Sequence, residues 1–243
     1  MRVVALHGFL GQPDVFTEVS EHLGCSLDAP PLPGHGPEGA VLGGSFESTV
    51  DAWLGPWVTP DTLLLGYSMG ARLALSYALR HRVRGAVLLS ASPGLSSPEA
   101  RAARRGDDAR LAESLEREGL AAFVTRWEAQ PLFASQRGLA PTRLAAHRAR
   151  RLGHRPAALA SALRVLGTGQ MPDCREALAR RAVPLVWAVG ALDTKFVGIA
   201  EALVAAGALE GYTRVEGAGH DLVLEAPETV ARLVRQLAEQ TSG

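Results

Sequence analysis

The sequence predicts an α/β protein, a mostly parallel sheet with flanking helices and an inserted helical cap. Three observations predict it. Short apolar runs alternate with helical patterns toward both ends of the chain. A Gly-x-Ser-x-Gly pentapeptide, Gly66-Tyr67-Ser68-Met69-Gly70, joins an apolar run to a helical one. Between residues 97 and 182 strand patterns are missing, and Arg- and Ala-rich helical segments are punctuated by Pro131, Pro141, Pro156 and Pro172.

Taken in order, residues 3–6 read as a short buried strand running into His7-Gly8-Phe9-Leu10-Gly11. Residues 14–23 suit a helix, and residues 26–29 a short strand before Pro30-Pro31-Leu32-Pro33-Gly34-His35-Gly36. A helix over 45–54 precedes the strand at 62–65, which feeds the pentapeptide and a helix over 71–80. Ala86-Val87-Leu88-Leu89 centres a strand over 83–90. Strand character resumes at 183–189 and 212–215, and Pro227 opens a closing amphipathic helix to residue 240. The expected organisation is a core of residues 1–96 and 183–243 with a cap of residues 97–182. Because the first strand leads at once to His7-Gly8, extra antiparallel edge strands at the start of the sheet are expected to be missing.

The chain of 243 residues is long enough to bury one full α/β core. No signal-peptide pattern and no apolar run of membrane-span length occur, so a cytoplasmic protein without a membrane partner is expected. Cys25 and Cys174 match no metal or redox spacing and are expected as free thiols. Net charge is zero, yet it is segregated: 16 Arg face 9 acidic residues between Leu95 and Arg181, net +7, and the remainder carries −7. Lys195 is the sole lysine, and a coding bias toward Arg explains that. The bias does not explain the segregation, which hints at an anionic ligand over the middle segment. Solvated helix faces are the alternative for each arginine taken singly. Few aromatics interleave these charges, so nucleic acid is not an expected partner.

The pentapeptide is the pattern of a nucleophile elbow, a strand-to-helix turn too tight for side chains at its glycines. Its alternative is a glycine-rich connection whose serine merely caps a helix. A serine hydroxyl needs an imidazole beside it, and the imidazole an orienting carboxylate. In α/β-hydrolases these follow in the order Ser, acid, His, on loops after later strands. Asp193, after the strand at 183–189, and His220, in Gly217-Ala218-Gly219-His220, fit that order behind Ser68. Asp221 and Glu225 are competing acids but lie too close in sequence to His220 to face its far nitrogen. His22, His81, His147 and His154 read as ordinary polar or helical side chains, and His7 as a loop-shaping residue. An oxyanion hole needs two backbone N–H donors. Met69, at the start of the elbow helix, and Phe9, in the loop after the first strand, are the candidates.

The set His7-Gly8, Leu32-Pro33-Gly34-His35-Gly36, Gly66-x-Ser68-x-Gly70, Asp193 and His220 resembles the α/β-hydrolase superfamily. A narrower likeness lies in Gly70-Ala71-Arg72, Ser92-Pro93-Gly94-Leu95, the run from Trp127 to Ser135, the run from Leu163 to Pro172, and Asp193-Thr194-Lys195-Phe196. These stretches resemble the 2-succinyl-6-hydroxy-2,4-cyclohexadiene-1-carboxylate synthases of menaquinone biosynthesis, along nearly the whole chain. Ala71 departs from a common second glycine, and Pro31 replaces an acid common before Leu-Pro-Gly-His-Gly, with Asp28 upstream instead.

The resemblance implies a lyase that eliminates pyruvate from 2-succinyl-5-enolpyruvyl-6-hydroxy-3-cyclohexene-1-carboxylate. The serine, activated by the His–Asp pair, acts there as base, and no metal or organic cofactor is implied. The implied partner is a small polycarboxylate, and the protein a monomer or small homo-oligomer. Guanidinium forks suit carboxylates. Arg72 lies one helical turn beyond Ser68, and the resemblance adds Arg151 and one of Arg104 and Arg105, which the sequence does not separate. Tyr67 and Trp127 would complete the pocket. The alternatives are a carboxylesterase or C–C bond hydrolase acting on an anionic substrate, and a non-catalytic binding protein on the same fold.

Overall fold

The computed structural model describes residues 2–242. Strand β1 (Arg2–Leu6) is followed by a 3-10 turn at Pro13–Phe16 and helix α1 (Thr17–Leu23). Helix α2 (Phe46–Leu54) starts on Ser45, whose hydroxyl caps the Ser48 amide. Strand β2 (Thr62–Tyr67), helix α3 (Met69–Ala78) and strand β3 (Gly85–Leu89) follow. Then come five helices: α4 (Pro98–Glu118), α5 (Leu120–Glu128), α6 (Pro141–Arg151), α7 (Pro156–Leu166) and α8 (Arg175–Ala179). Strand β4 (Leu185–Gly190), helix α9 (Thr194–Ala205), strand β5 (Thr213–Val215), and helices α10 (Leu222–Glu225) and α11 (Pro227–Gln240) close the chain.

The described strands form one parallel sheet in the order β1-β2-β3-β4-β5. The strand expected at 26–29 is reduced to a single parallel bridge between Asp28 and Val4 on the outer side of β1. Pro30, Pro31 and Pro33 follow directly, and proline can supply no ladder N–H. The chain therefore leaves β1 to one side, touches it at Asp28, and returns on the other side as β2. That reversal puts a crevice at the carboxyl end of β1, where α/β sheets bind ligands.

Side chains alternate across the sheet. Val3, Ala5, Leu63, Leu65, Val87 and Leu89 face α1 and α11, while Val4, Leu6, Leu64, Leu88, Trp187 and Val189 face α2, α3 and α9. Both faces are covered, which is why these strands read as continuous apolar runs. Helix α11 turns Val230, Leu233, Val234 and Leu237 inward, so its amphipathic pattern is a packing signal.

The helices of residues 97–182 build a small core of their own, with Leu115, Phe123, Leu159 and Leu163 packed around Leu10. Their last stretch behaves differently: Leu166, Met171, Cys174 and Leu178 pack into the core of the sheet. The charge segregation meets at the junction. Arg143 pairs with Glu18 at 2.7 Å, Arg150 with Asp14 at 2.7 Å and Arg181 with Glu210 at 3.4 Å. Other arginines of this segment pair within it, along one helix as Arg110 with Asp107 does, or between helices as Arg164 of α7 with Glu116 of α4 does. No described helix is long and apolar enough to cross a membrane.

Candidate active site

Ser68 sits between β2 and α3 with φ 52° and ψ −107°, a conformation L residues rarely adopt. Hydrogen bonds hold the turn: the Ser68 amide donates to the Leu89 carbonyl at 2.9 Å and the Gly70 amide to the His7 carbonyl at 3.1 Å. A Cβ on Gly70 would collide with the Leu6 carbonyl, so the second glycine of the pentapeptide is required by the closeness of β1. Backbone strain of this kind, held by surrounding bonds, marks functional turns.

The His220 ring lies beside the elbow. Ser68 Oγ donates to His220 Nε2 at 3.0 Å, and His220 Nδ1 donates to Asp193 Oδ2 at 2.6 Å. Asp193 caps α9, and its other oxygen accepts from the Phe196 amide at 3.4 Å. Neither competing acid takes its place. Asp221 faces His147 at 3.4 Å, and Glu225 accepts from the Gly219 amide at 2.7 Å and the Asp221 amide at 3.3 Å. Glu225 thus grips the backbone on either side of His220, while Ser90 Oγ donates to the His220 carbonyl at 2.8 Å. Nothing in the sequence pattern signals these two supports.

Behind the elbow lie three histidines whose rings meet edge to face, His7 with His35 and His35 with His154. His7 Nδ1 donates to the Gly8 carbonyl and Nε2 accepts from the Leu32 amide, which shapes the loop carrying Phe9. His154 Nδ1 accepts from the Gly36 amide and Nε2 donates to the Leu10 carbonyl, tying the cap to the same loop. Burial pulls the pKa of His7 down to about 4 and lowers those of His35 and His154, so all three stay neutral. His147 and His154 are buried rather than ordinary surface residues. Their surroundings come from segments distant in sequence, which local pattern cannot reveal.

A cavity of about 300 Å³ opens over Ser68, bounded by Gly8, Phe9, Met69 and His220 below and by Trp127 and Phe133 above. Among the described residues, neither the Phe9 nor the Met69 amide donates to a loop or turn carbonyl. Both lie at the cavity floor beside Ser68, where an oxyanion would form. Tyr67 also lines the cavity, its hydroxyl held protonated by burial.

Three basic groups enter this cavity: Arg72, Arg104 and Lys195. Arg72 is 7% exposed and forms no ion pair among the described residues. Its Nη1 donates to the Leu166 carbonyl at 2.8 Å. Burial, reinforced by the positive charge of Arg104 and opposed by Asp108, pulls the Arg72 pKa down to about 10. Arg104 is held by buried Asp108, Nε to Oδ1 at 2.9 Å. The structure separates the two neighbours: Arg105 donates to the Gly169 carbonyl at 3.2 Å and does not line this cavity. Arg151 is 5% exposed and bonds Glu128 at 3.0 Å. It sits behind Phe133, in an adjoining space of about 20 Å³ that Tyr67 also lines. Lys195 is the addition that sequence reasoning missed, although its being the sole lysine beside Asp193 was visible.

The sequence model of the alpha/beta hydrolase family matches residues 3–233. The chain belongs to the alpha/beta hydrolase family. Within it, the chain is 33% identical to the 2-succinyl-6-hydroxy-2,4-cyclohexadiene-1-carboxylate synthase of Salmonella schwarzengrund (strain CVM19633), over 97% of this chain and 92% of that one. A Bacillus subtilis (strain 168) relative that carries the same name provisionally is 35% identical over 96% of this chain and 89% of its own. Among solved structures, MenH from S. aureus superposes with a TM-score of 0.90 at 29% identity, covering 100% of this chain and 95% of that one. The family fold accounts for the elbow, the Asp193 and His220 loops and the helices above them.

Proposed function

We propose that this chain is a carbon–oxygen lyase of menaquinone biosynthesis that releases pyruvate from 2-succinyl-5-enolpyruvyl-6-hydroxy-3-cyclohexene-1-carboxylate. The observation that carries the reading is Arg72: a guanidinium buried over Ser68 that forms no ion pair among the described residues, the nearby Asp108 being paired with Arg104. Burying a charge without an opposite charge against it is costly, and an anionic substrate supplies one. Arg104 and Lys195 add two further positive groups to the same cavity, against the two carboxylates of Asp107 and Asp108, which pair with Arg110 and Arg104. The names of the relatives supply the reaction.

In this reading His220 Nε2 accepts the Ser68 hydroxyl proton, and Asp193 holds the ring in the tautomer that can do so. Ser68 Oγ then removes the ring proton at the carbon bearing the succinyl group, which the adjacent ketone acidifies. Electrons pass through the ring double bond and expel the enolpyruvyl oxygen, giving the conjugated diene and pyruvate. Negative charge builds on the succinyl carbonyl oxygen, where the Phe9 and Met69 amides act as donors. Residues 97–182 serve as a cap that closes the cavity, and Tyr67 and Trp127 pack the ring.

The test follows pyruvate. Release from the synthetic intermediate, read by coupled NADH oxidation, is expected with the parent protein and is expected to drop at least about a thousandfold in Ser68→Ala and by a similar order in His220→Ala. p-Nitrophenyl acetate is expected to turn over poorly. Fast ester hydrolysis without pyruvate release would overturn the lyase reading in favour of a hydrolase.

A further inference from the structure

A second cavity, of about 260 Å³, lies inside the cap between the 3-10 segment Pro131–Gly138 and α6. It is nearly as large as the one over Ser68. The guanidinium groups of Arg137, Arg148 and Arg151 line it against the single carboxylate of Glu128, which bonds both Arg148 and Arg151. Positive charge is therefore in excess.

Two of its lining residues carry a buried polar atom with no partner. Gln136 Nε2 and His147 Nδ1 make no hydrogen bond, and the two residues are 5% and 7% exposed. A buried polar group left unpaired costs about 1–3 kcal/mol, so a wall carrying two of them calls for an explanation. Gln136 Nε2 can only donate. The other nitrogen of His147 faces the Asp221 carboxylate at 3.4 Å. Phe133, on the 3-10 segment with Gln136 and Arg137, and Leu144 and Ala145, on α6 with Arg148 and Arg151, add apolar surface to the lining. Guanidinium groups interleaved with apolar side chains suit an organic acid better than an inorganic anion.

We propose that this cap cavity is a second binding site, selective for a small organic carboxylate, with the Arg137 guanidinium as its principal donor. Phe133 divides it from the catalytic cavity and lines both. The site stands on these residues alone and does not depend on the elimination described above.

The experiment is calorimetric titration of the full chain with pyruvate, with inorganic phosphate as the comparison anion. Saturable pyruvate binding is expected in the parent protein. Arg137→Glu, a change at an exposed side chain, is expected to weaken one class of site at least tenfold, and Leu144→Trp to remove it by filling the space. Arg72→Leu, which disables only the catalytic cavity, is expected to leave that class intact. Isotherms unchanged in Arg137→Glu would overturn the proposal whether or not Leu144→Trp folds. Loss of all pyruvate binding in Arg72→Leu, or phosphate binding as tightly as pyruvate, would overturn it too. Each readout is independent of turnover, so failure here leaves the lyase reading to its own test.

Discussion

Arg72 shows how a single residue can be costly for the fold and needed for the ligand. Its guanidinium is desolvated, is repelled by Arg104 and has one carbonyl as its recorded hydrogen-bond partner. Replacing an underpaired buried charge by an apolar group of similar length is often neutral or stabilising. Arg72→Leu is therefore expected to keep or raise the melting temperature while kcat/KM for a polycarboxylate falls about 10- to 100-fold, the loss of one charge-assisted contact. Thermal melts and steady-state kinetics on the same preparation check both halves. At this scale the sequence was informative about chemistry but not about surroundings. Ser68, Asp193 and His220 were legible from order and glycine context, because the turn dictates its own residues. Arg104 could not be told from Arg105, since that choice depends on how α4 is rotated against Gly169, with Asp108 of the same helix holding Arg104.

At the scale of elements, the site is fixed by how closely β1, the elbow and the loop after β5 approach one another. Gly70 packs on the Leu6 and His7 carbonyls, and Gly190 on those of Ala218 and Gly219. A methyl group at either position has no space without moving the backbone. Gly70→Ala is expected to destabilise the fold by roughly 2–4 kcal/mol and to cost activity even in molecules that remain folded. Denaturant midpoints together with activity per folded molecule test this. Most elements were readable because strands buried on both faces and helices opened by proline or serine carry local signals. The strand expected at 26–29 failed for a non-local reason: only one residue of it reaches β1 before the proline run turns the chain away.

For the whole molecule, the buried histidines couple stability to pH. His7, His35 and His154 have folded-state pKa values below the ordinary value of 6.5, with His7 at about 4. The unfolded chain thus binds protons that the folded chain refuses. Stability is fully present above about pH 6.5 and is lost as pH falls toward 4, with His7 alone contributing at most about 3 kcal/mol. Melting temperatures are expected to decline steadily from pH 7 to pH 4.5, and a flat profile would contradict the burial of this cluster. Asp221, whose pKa is also lowered, adds loss of the same sign at still lower pH. None of this was legible in sequence, where His35 and His154 are 119 residues apart.

The junction of a +7 segment with a −7 remainder has one more consequence. The short ion pairs across it consume only a few of these charges, so the molecule as a whole is an electric dipole with no net charge. Its positive pole lies on the side that covers Ser68. An incoming polyanion is turned by that field before it touches the protein, whereas a neutral ester is not. Raising ionic strength from 20 to 300 mM, a change that shortens the screening length severalfold, is therefore expected to lower kcat/KM for a polycarboxylate about tenfold and to leave any residual esterase rate nearly unchanged. Stopped-flow association rates measured across that range would read the dipole directly.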